Sequence, residues 1–366
     1  MATHFPSLRA QPSSRGLAGG SIGRALEWLR WWRTPFWALA LLSGSKSFAD
    51  NPILGSRRLN RAGLHVWRLK TAHALTRRRR ARLASRLPEQ YREQFDRDGF
   101  VVINDLLPAD QFQRLQRTLL DTPFECRAHQ QGDTVTRRVP VGPEIIALCP
   151  DLDRLVRTRL WRGMMAYVAS ACTAPLYYIQ TVAGGVAEGP PDPQLQLHSD
   201  TFHASLKAWF FLTDVEDDGR PLTYVAGSHR LSPERIAWEQ RKSIEVMETG
   251  DRLSQRGSFR IRADELPVLG LPEPTRFCVP ANTLVVADTC GFHARAASHR
   301  QSVRVELWAY SRRNPFIPWV SAGLFSLQRF AERRAELLLR ALDWLDRAGI
   351  RKQHWTRAGR RRPIDA

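Results

Sequence analysis

The chain has 366 residues, of which 43% are hydrophobic and 25% charged, which is ordinary for a globular protein. This length allows one large domain with additions, or two domains. The five cysteines are odd in number and none has C-x-x-C spacing, which argues against a disulfide framework and against a zinc site. We expect them to be buried small side chains in a reducing compartment. They are Cys126, Cys149, Cys172, Cys278 and Cys290.

The formal net charge of +19 is distributed unevenly along the chain. Residues 1–90 hold 17 Lys/Arg and 3 Asp/Glu, and residues 321–366 hold 11 and 5. Residues 91–320 hold 27 and 28 and are therefore close to neutral. A near-neutral core with two basic ends indicates that the ends, and not the core, would meet an anionic surface.

The first ninety residues have two compositions. Residues 1–20 are rich in Ser, Gly, Ala and Pro and are predicted to be disordered. Residues 21–90 are rich in Trp and Arg, and we predict that they form a helical segment. The apolar run at 36–42 is too short to cross a membrane as a helix, which needs about 20 residues. Four of the twelve tryptophans lie at the start of this segment: Trp28, Trp31, Trp32 and Trp37.

Two interpretations of this segment remain open from the sequence. Indole rings beside arginines suit the headgroup boundary of a membrane, which predicts that residues 21–86 bind an anionic membrane surface. Alternatively, the helix packs on the protein's own core and its arginines are solvated. The arginine run 77–80 lies behind the tryptophans and is not interleaved with them, which argues against nucleic acid as a partner.

From residue 91 the pattern becomes that of a folded core, assigned to 91–320. A short helix is predicted to stop at Gly99, and a strand over 100–103 follows. Further helices are predicted over 108–120 and 151–170. Short strands separated by Gly/Pro turns are predicted next, at 176–182, 194–197, 205–213, 222–224, 276–279, 283–287 and 303–310. The pattern predicts a mainly β fold with supporting helices, either a β-sandwich or a jelly roll.

The clearest chemical signal is His198-Ser199-Asp200, together with the distant His293. Residues two apart on an extended strand point to the same face, so His198 and Asp200 can direct a nitrogen and an oxygen to one point. A second imidazole would complete a set of two histidines and one carboxylate. This set leaves coordination positions open and is typical of non-haem Fe(II) oxygenases.

Arg304 is the candidate partner for a cosubstrate. It lies on a strand of alternating character, on the same face as Glu306 and Trp308. Its guanidinium could grip the carboxylate of a keto-acid cosubstrate in a bidentate manner. An interior arginine needs a partner, and Glu306 is the alternative one.

These motifs resemble the phytanoyl-CoA dioxygenase family of Fe(II)/2-oxoglutarate oxygenases over roughly residues 90–315. The stretch from Phe95 to Pro108 is similar to the family's N-terminal signature, and Asp218 to His229 is similar to its glycine-bearing turn and Gly-Ser-His corner. His198, Asp200 and His293 match the iron ligands, and Arg304 matches the arginine that binds 2-oxoglutarate. One departure is Arg295, because family members often carry a serine two residues after the distal histidine.

The resemblance implies a double-stranded β-helix (a cupin-like jelly roll) with helical extensions at both ends. It implies Fe(II) as the metal and 2-oxoglutarate and O2 as cosubstrates, with succinate formed as a substrate C–H bond is oxidised. Related halogenases replace the carboxylate ligand with a small residue, so Asp200 favours hydroxylation. We expect a cytoplasmic hydroxylase, peripheral on the inner face of a membrane, that acts on a lipid-linked or anionic amphipathic substrate.

Two alternatives stand beside this prediction. One is a soluble hydroxylase of a small metabolite, with the N-terminal segment packed on the core. The other is a non-catalytic jelly-roll binding or scaffold protein, against which the complete ligand set argues. The sequence does not determine the oligomeric state.

Two further segments have predicted roles. The insert 231–274 is a candidate substrate lid, with basic residues that include Lys242 and Arg252. The tail, 321–366, is predicted to carry a helix over 324–345 that packs on the core or on a dimer partner. The predicted apolar face of that helix consists of Leu327, Phe330, Leu337, Leu338, Ala341 and Leu345.

Overall fold

The computed structural model describes residues 34–298, 300–320 and 328–365. Eleven strands are present in this part of the chain: β1 Phe100–Ile103, β2 Phe124–Gln131, β3 Thr134–Pro140, β4 Leu176–Gly184, β5 Leu206–Phe211, β6 Leu222–Tyr224, β7 Thr275–Arg276, β8 Leu284–Asp288, β9 His293–Arg295, β10 Ser302–Ser311 and β11 Thr356–Arg361. The helices described are α1 Thr34–Ala40, α2 Arg57–Arg61, α3 Leu64–Leu83, α4 Glu89–Asp98, α5 Ala109–Asp121, α6 Pro143–Leu148, α7 Pro150–Arg157, α8 Arg159–Ala169, α9 Pro233–Glu245, α10 Arg252–Gln255 and α11 Gln328–Arg347.

The strands form two antiparallel sheets that pack against each other. The large sheet has the order β1-β8-β5-β10-β4-β3-β2-β11, and the small sheet has the order β7-β6-β9. Buried side chains such as Trp209 and Phe211 of the large sheet share one apolar cluster with Leu222 and Tyr224 of the small sheet. The opposite face of the large sheet packs on α5 to α8, where Leu115 and Trp161 are fully buried. The predicted jelly roll with helical extensions is therefore confirmed.

Alternation along β10 places its polar residues toward the small sheet. β10 pairs with β4 on one side and with β5 on the other. Val305 and Leu307 join the apolar core under the helices, whereas Arg304, Glu306 and Trp308 share the other face. The predicted face of Arg304 is thus the one observed, because successive side chains of a strand alternate between its two faces.

The boundaries of three predicted elements differ from those in the structure. The helix predicted over 151–170 is two helices, α7 and α8, because Thr158 breaks it and accepts a hydrogen bond from the Trp161 amide as the N-cap of α8. The strand predicted over 194–197 was wrong. A 3-10 turn covers Pro193–Leu195, capped by the side chain of Asp192. Of the strand predicted over 276–279, only Arg276 lies in a strand, which is β7 Thr275–Arg276.

The described part of the basic N-terminal segment packs on the core. Arg68 of α3 donates hydrogen bonds to the carbonyls of residues 41, 43 and 45. Within the arginine run, Arg79 donates to the carbonyls of Pro315 and Ile317, and Arg80 forms a 2.7 Å ion pair with Asp288. Two of the four arginines in the run are thus used internally. The predicted disordered region and the tryptophans at 28, 31 and 32 lie outside the described residues.

No helix within 34–298, 300–320 or 328–365 combines the length and apolar character needed to span a membrane.

The tail helix α11 packs with a different face from the predicted one. Leu337 and Leu338 are each 42% exposed, whereas Ala335 is buried and Leu339 packs against the cluster between the sheets. A 2.5 Å ion pair between Arg127 of β2 and Asp343 is one of the contacts that hold the helix in this rotation. Leu327 and the side chain of Phe330 lie outside the described part of the chain.

All five cysteines are free thiols, and three of them, Cys126, Cys149 and Cys290, are buried as predicted. Cys172 is half-buried and Cys278 is exposed, so the prediction of burial was wrong for Cys278. Cys278 follows the short strand β7, at the edge of the small sheet.

Candidate metal centre

Three potential metal ligands converge between the two sheets. The Nε2 atoms of His198 and His293 lie 3.8 Å and 3.7 Å from the same oxygen, Oδ1 of Asp200. The ligand atoms of all three side chains lie within 4.8 Å of one another. The two-residue spacing of His198 and Asp200 predicted that these two side chains meet, and the tertiary structure places His293 beside them. The arrangement is that of two histidines and one carboxylate around a common point.

Main-chain pairing holds the two histidines beside each other. The amide of His198 donates to the carbonyl of His293, and the amide of His293 donates back, each at 3.0 Å. The amide of Asp200 donates to the carbonyl of Thr289 at 2.8 Å. His198 therefore lies in an isolated antiparallel bridge and not in the regular strand predicted for it. The bridge fixes the backbone as a strand would, so both imidazoles face the space beside Asp200.

Hydrogen bonds determine which imidazole nitrogens are available. Nδ1–H of His198 donates to the carbonyl of Gln196 at 2.8 Å, and Nδ1–H of His293 donates to that of Gly291 at 3.0 Å. Each Nε2 then carries a lone pair, because a neutral imidazole has one protonated nitrogen. Nε2 of His293 is buried with no hydrogen-bond partner among the described residues. A buried acceptor of this kind is costly unless it binds a ligand such as a metal ion.

The protonation states also suit metal binding. Burial, followed by the neighbouring His293, holds the pKa of His198 well below its usual value, and burial lowers the pKa of His293 to about 4. Burial alone would raise the pKa of Asp200, but Lys207 and the two imidazoles outweigh it and hold that pKa well below its usual value. At neutral pH the site therefore presents two neutral imidazoles and one carboxylate.

Two lysines contact Asp200 and limit how it can bind a metal. Nζ of Lys207 lies 2.6 Å from Oδ2, and Nζ of Lys46 donates to the main-chain carbonyl of the same residue. Oδ1 remains directed at the two imidazoles, so the carboxylate is arranged for coordination through one oxygen. Sequence reasoning identified neither lysine, because Lys46 is distant from the motif in the chain and nothing marks Lys207, on the following strand β5, as a partner of Asp200.

Arg304 is buried beside this site within a polar network. Its Nε donates to Oε2 of Glu306 at 2.8 Å, and its Nη1 donates to the carbonyl of Arg220 at 2.7 Å. Oε1 of Glu306 accepts a hydrogen bond from Gln180 at 2.7 Å. The alternative partner considered from the sequence, Glu306, is thus present. Nη2 of Arg304 makes no hydrogen bond within the described residues, and Arg304 lines the same cavity as the ligand set.

Arg295, at the position where the family often has serine, is also ion-paired. Its Nη1 lies 2.7 Å from Oδ2 of Asp192, whose side chain is fully buried. The other carboxylate oxygen of Asp192 accepts from the amide of Gln194. The charge of Arg295 is therefore neutralised locally, although the side chain lines the cavity.

A cavity of about 190 Å³ contains the ligand set and Arg304. Its walls include residues that sequence reasoning missed, notably Lys207, Arg138 of β3 and Trp355 from the tail. The hairpin β2–β3 was not predicted, because its Arg- and Gln-rich strands lack a clear apolar alternation. No residue of the insert 231–274, all of which the structure describes, lines this cavity, so the predicted lid lies elsewhere.

Comparison with protein families identifies the core. Residues 95–253 match the family model described as phytanoyl-CoA dioxygenase (PhyH). This part of the chain is therefore similar to the PhyH domain. The match includes His198 and Asp200 and ends before His293 and Arg304, which the fold brings back to the same site. The chain is an Fe(II)/2-oxoglutarate-dependent oxygenase that uses O2, as the resemblance implied.

Several solved structures are similar to this chain. The epimerase SnoN, in complex with Fe3+, alpha ketoglutarate and nogalamycin RO, has 18% identity and a TM-score of 0.40, with 61% of this chain and 82% of that chain covered. HygX from Streptomyces hygroscopicus, with nickel, 2-oxoglutarate and hygromycin B bound, has 15% identity and a TM-score of 0.38, with 62% and 88% covered. EctD from S. alaskensis has 16% identity and a TM-score of 0.36, with 62% and 77% covered.

Similarities this low do not indicate the substrate of this chain. No curated protein sequence gives a significant match to the chain.

Proposed function

We propose that this protein is a hydroxylase in which His198, Asp200 and His293 hold Fe(II). The observation that supports this most directly is the pair of unprotonated Nε2 atoms directed, with one carboxylate oxygen, at a common buried point. Three protein ligands leave open positions for a cosubstrate and O2. The carboxylate ligand is Asp200. It would occupy the coordination position that a halide takes in halogenases, so it favours hydroxylation.

When bound, the iron supplies the activation of O2 that couples decarboxylation of 2-oxoglutarate to oxidation of a substrate C–H bond. The residues of the chain position the participants. Nη2 of Arg304 is available to the distal carboxylate of 2-oxoglutarate, because Glu306 and the Arg220 carbonyl already hold the other side of the guanidinium. Lys207 restrains Asp200 to one-oxygen coordination. Neutral imidazoles make the ligand set competent at neutral pH.

For the substrate, we propose a small molecule that carries an anionic group, in keeping with the predicted anionic amphipathic class. The support is the basic lining of the cavity, in which Lys207, Arg295 and Arg304 are ion-paired and Arg138 has no acidic partner among the described residues. The walls also carry the apolar side chains of Trp209 and Leu222. Binding at a membrane surface is a separate proposal that rests on the Trp/Arg composition of the N-terminal segment.

An anaerobic titration tests the proposed metal and cosubstrate. Metal-free protein is titrated with Fe(II) and then with 2-oxoglutarate, and the visible charge-transfer band of the chelated keto acid is followed. We expect a saturable band, and at least tenfold more 2-oxoglutarate at half-saturation for Arg304→Ala. Arg300→Ala, which removes an exposed arginine of the neighbouring loop, is the matched control. Folded protein that forms no band would favour a binding or scaffold role.

Flotation with anionic liposomes tests the membrane proposal. Residues 1–33 precede the first described helix, so their deletion removes no residue of α1 to α11, whereas deletion of residues 1–90 would remove α3 from the core. We expect the full chain to float with vesicles that contain anionic lipid, and the chain without residues 1–33 to float less. Recovery of the full chain that is no higher with anionic than with neutral vesicles would refute the membrane proposal without affecting the oxygenase assignment.

A further inference from the structure

Arg138 differs from the other basic residues that line the metal cavity because it has no acidic partner within the described residues. Lys207 is paired with Asp200, Arg295 with Asp192 and Arg304 with Glu306. The one side-chain hydrogen bond of Arg138 within the described residues runs from Nε to the neutral amide oxygen of Gln180 at 2.7 Å. Its terminal amino groups have no hydrogen-bond partner there.

Aromatic rings hold this guanidinium in place. Its central carbon lies 3.9 Å from the ring centroid of Trp308 and 4.4 Å from that of Trp355. Contact with the faces of indole rings stabilises a cation without occupying its N–H groups. Burial lowers the pKa of Arg138 to about 10, which still leaves it charged at neutral pH. Arg138 is therefore a positioned cation with two unused donor groups.

A second cavity adjoins the first at this cluster. This chamber, of about 230 Å³, is lined by Leu176, Tyr310, Leu338, Leu339 and Leu342. Arg138, Trp308 and Trp355 line both the chamber and the metal cavity. The cluster thus lies where an apolar space meets the polar site that contains the metal ligands.

The tail of the chain builds the chamber and one side of the cluster. Leu338, Leu339 and Leu342 belong to α11, and Trp355 lies between α11 and β11. The Arg127–Asp343 ion pair and a hydrogen bond from Arg127 to the Trp355 carbonyl fix this segment to β2. The segment lies outside the residues that match the PhyH family model. It therefore adds a wall to the active site that the matched region does not contain.

We propose that Arg138 binds a carboxylate of the primary substrate and that the chamber beneath α11 receives the apolar part of the same molecule. The inference rests on the proposed hydroxylase function and narrows its substrate to an amphipathic carboxylate. A guanidinium presents paired N–H groups that match the two oxygens of a carboxylate. Contact with the apolar walls would remove part of the ligand's apolar surface from water. Trp355 is a positioning residue, because it acts through Arg138.

The test uses full-length protein loaded with Fe(II) and 2-oxoglutarate under anaerobic conditions. Octanoate and the uncharged octanamide serve as matched probes, and binding is measured by calorimetry and by perturbation of the charge-transfer band. We expect octanoate to bind at least tenfold more tightly than octanamide. Arg138→Gln should weaken octanoate binding at least tenfold and change the half-saturating 2-oxoglutarate concentration by less than twofold. Arg138→Lys should give an intermediate loss of octanoate binding.

Two more variants separate the parts of the proposal. Trp355→Ala should weaken octanoate binding through loss of the ring contact, and Leu342→Trp should weaken it by filling the chamber. Arg340→Gln, which removes an exposed charge from α11, is the control and should bind octanoate as the unmodified protein does. Circular dichroism melting checks that each variant is folded.

Three outcomes would overturn the inference. They are equal binding of octanoate and octanamide, no binding of octanoate by either measurement, and a loss of 2-oxoglutarate affinity in Arg138→Gln as large as that in Arg304→Ala. The last would assign Arg138 to the cosubstrate. Failure of the proposed function has a different signature, which is the absence of the charge-transfer band from the unmodified protein.

Discussion

His198 and His293 exchange both of their main-chain hydrogen bonds, each 3.0 Å long, although they are far apart in the chain. This pairing puts their imidazole centroids 4.5 Å apart and directs both Nε2 atoms toward Asp200. A site of this kind is preorganised, because the backbone and not the metal fixes the ligand positions. Loss of one ligand should therefore affect metal binding and leave the fold in place.

Asp200→Ala should abolish turnover. The variant retains both imidazoles but loses the single anionic ligand, so Fe(II) affinity should fall by at least tenfold. Succinate formation and Fe(II) binding by the purified protein measure the two effects. Asp217→Ala, at a carboxylate that is 76% exposed and pairs with Arg276, is the control. Full activity in Asp200→Ala would contradict the metal-site assignment.

Glu306→Gln should destabilise the fold because it leaves Arg304 buried without its counterion. Side chains of this pair are 0% and 4% exposed, and removal of one partner from such a pair costs about 3–5 kcal/mol. Urea unfolding of the metal-free protein measures the free energy of unfolding. Asp218→Asn breaks the exposed pair with Arg300 and should change that free energy little. Equal stability of the two variants would show that the buried charge of Arg304 is neutralised in another way.

Arg80→Gln should loosen the N-terminal helix from the core. Arg80 pairs with Asp288 at 2.7 Å and donates to the Val168 carbonyl, also at 2.7 Å. Asp288 in turn accepts hydrogen bonds from the amides of Ser205 and Cys290. We expect a loss of about 3–5 kcal/mol in the free energy of unfolding.

The exposed neighbour on the same helix, Arg77→Gln, is the matched control and should leave that free energy nearly unchanged. Limited proteolysis should cut Arg80→Gln faster than the control within residues 57–83. If both variants unfold at the same urea concentration, the arginine run acts as a solvated surface and not as a docking device.

Acid should destabilise the metal-free protein through buried neutral histidines. Burial lowers the pKa of His73 to about 4 and those of His203 and His229 to about 3. An unfolded histidine has a pKa of about 6.5, so between this value and the folded one the unfolded state binds more protons. The free energy of unfolding is therefore highest above pH 6.5. Each of these histidines lowers it by about 1.4 kcal/mol per pH unit as the pH decreases toward 4.

Urea unfolding at several pH values between 7 and 4.5 measures this slope. His203→Gln should reduce it by the contribution of one histidine, whereas His354→Gln, at an exposed position, should not. A slope that is the same in both variants would mean that His203 takes up a proton without unfolding.

Much of the site could be read from the sequence because its signals are local. The two-residue spacing of His198 and Asp200 puts their side chains together in any extended backbone. Alternation along β10 likewise places Arg304 on the face of Glu306 and Trp308 whatever the strand pairs with. Gly99 was predicted to end a helix, and it is found with φ 85°, a left-handed conformation that favours glycine.

Only the tertiary structure decided which distant groups share the site. Lys207, Arg138 and Trp355 come from separate strands and the tail, and their convergence depends on pairings such as β11 with β2, which composition does not encode locally. The same holds for the arginine run, in which Arg79 and Arg80 find partners inside the molecule while their neighbours face outward. The sequence does not distinguish an ionic side chain that faces water from one that pairs with a buried carboxylate. Its partner is determined by long-range packing and not by its neighbours in the chain.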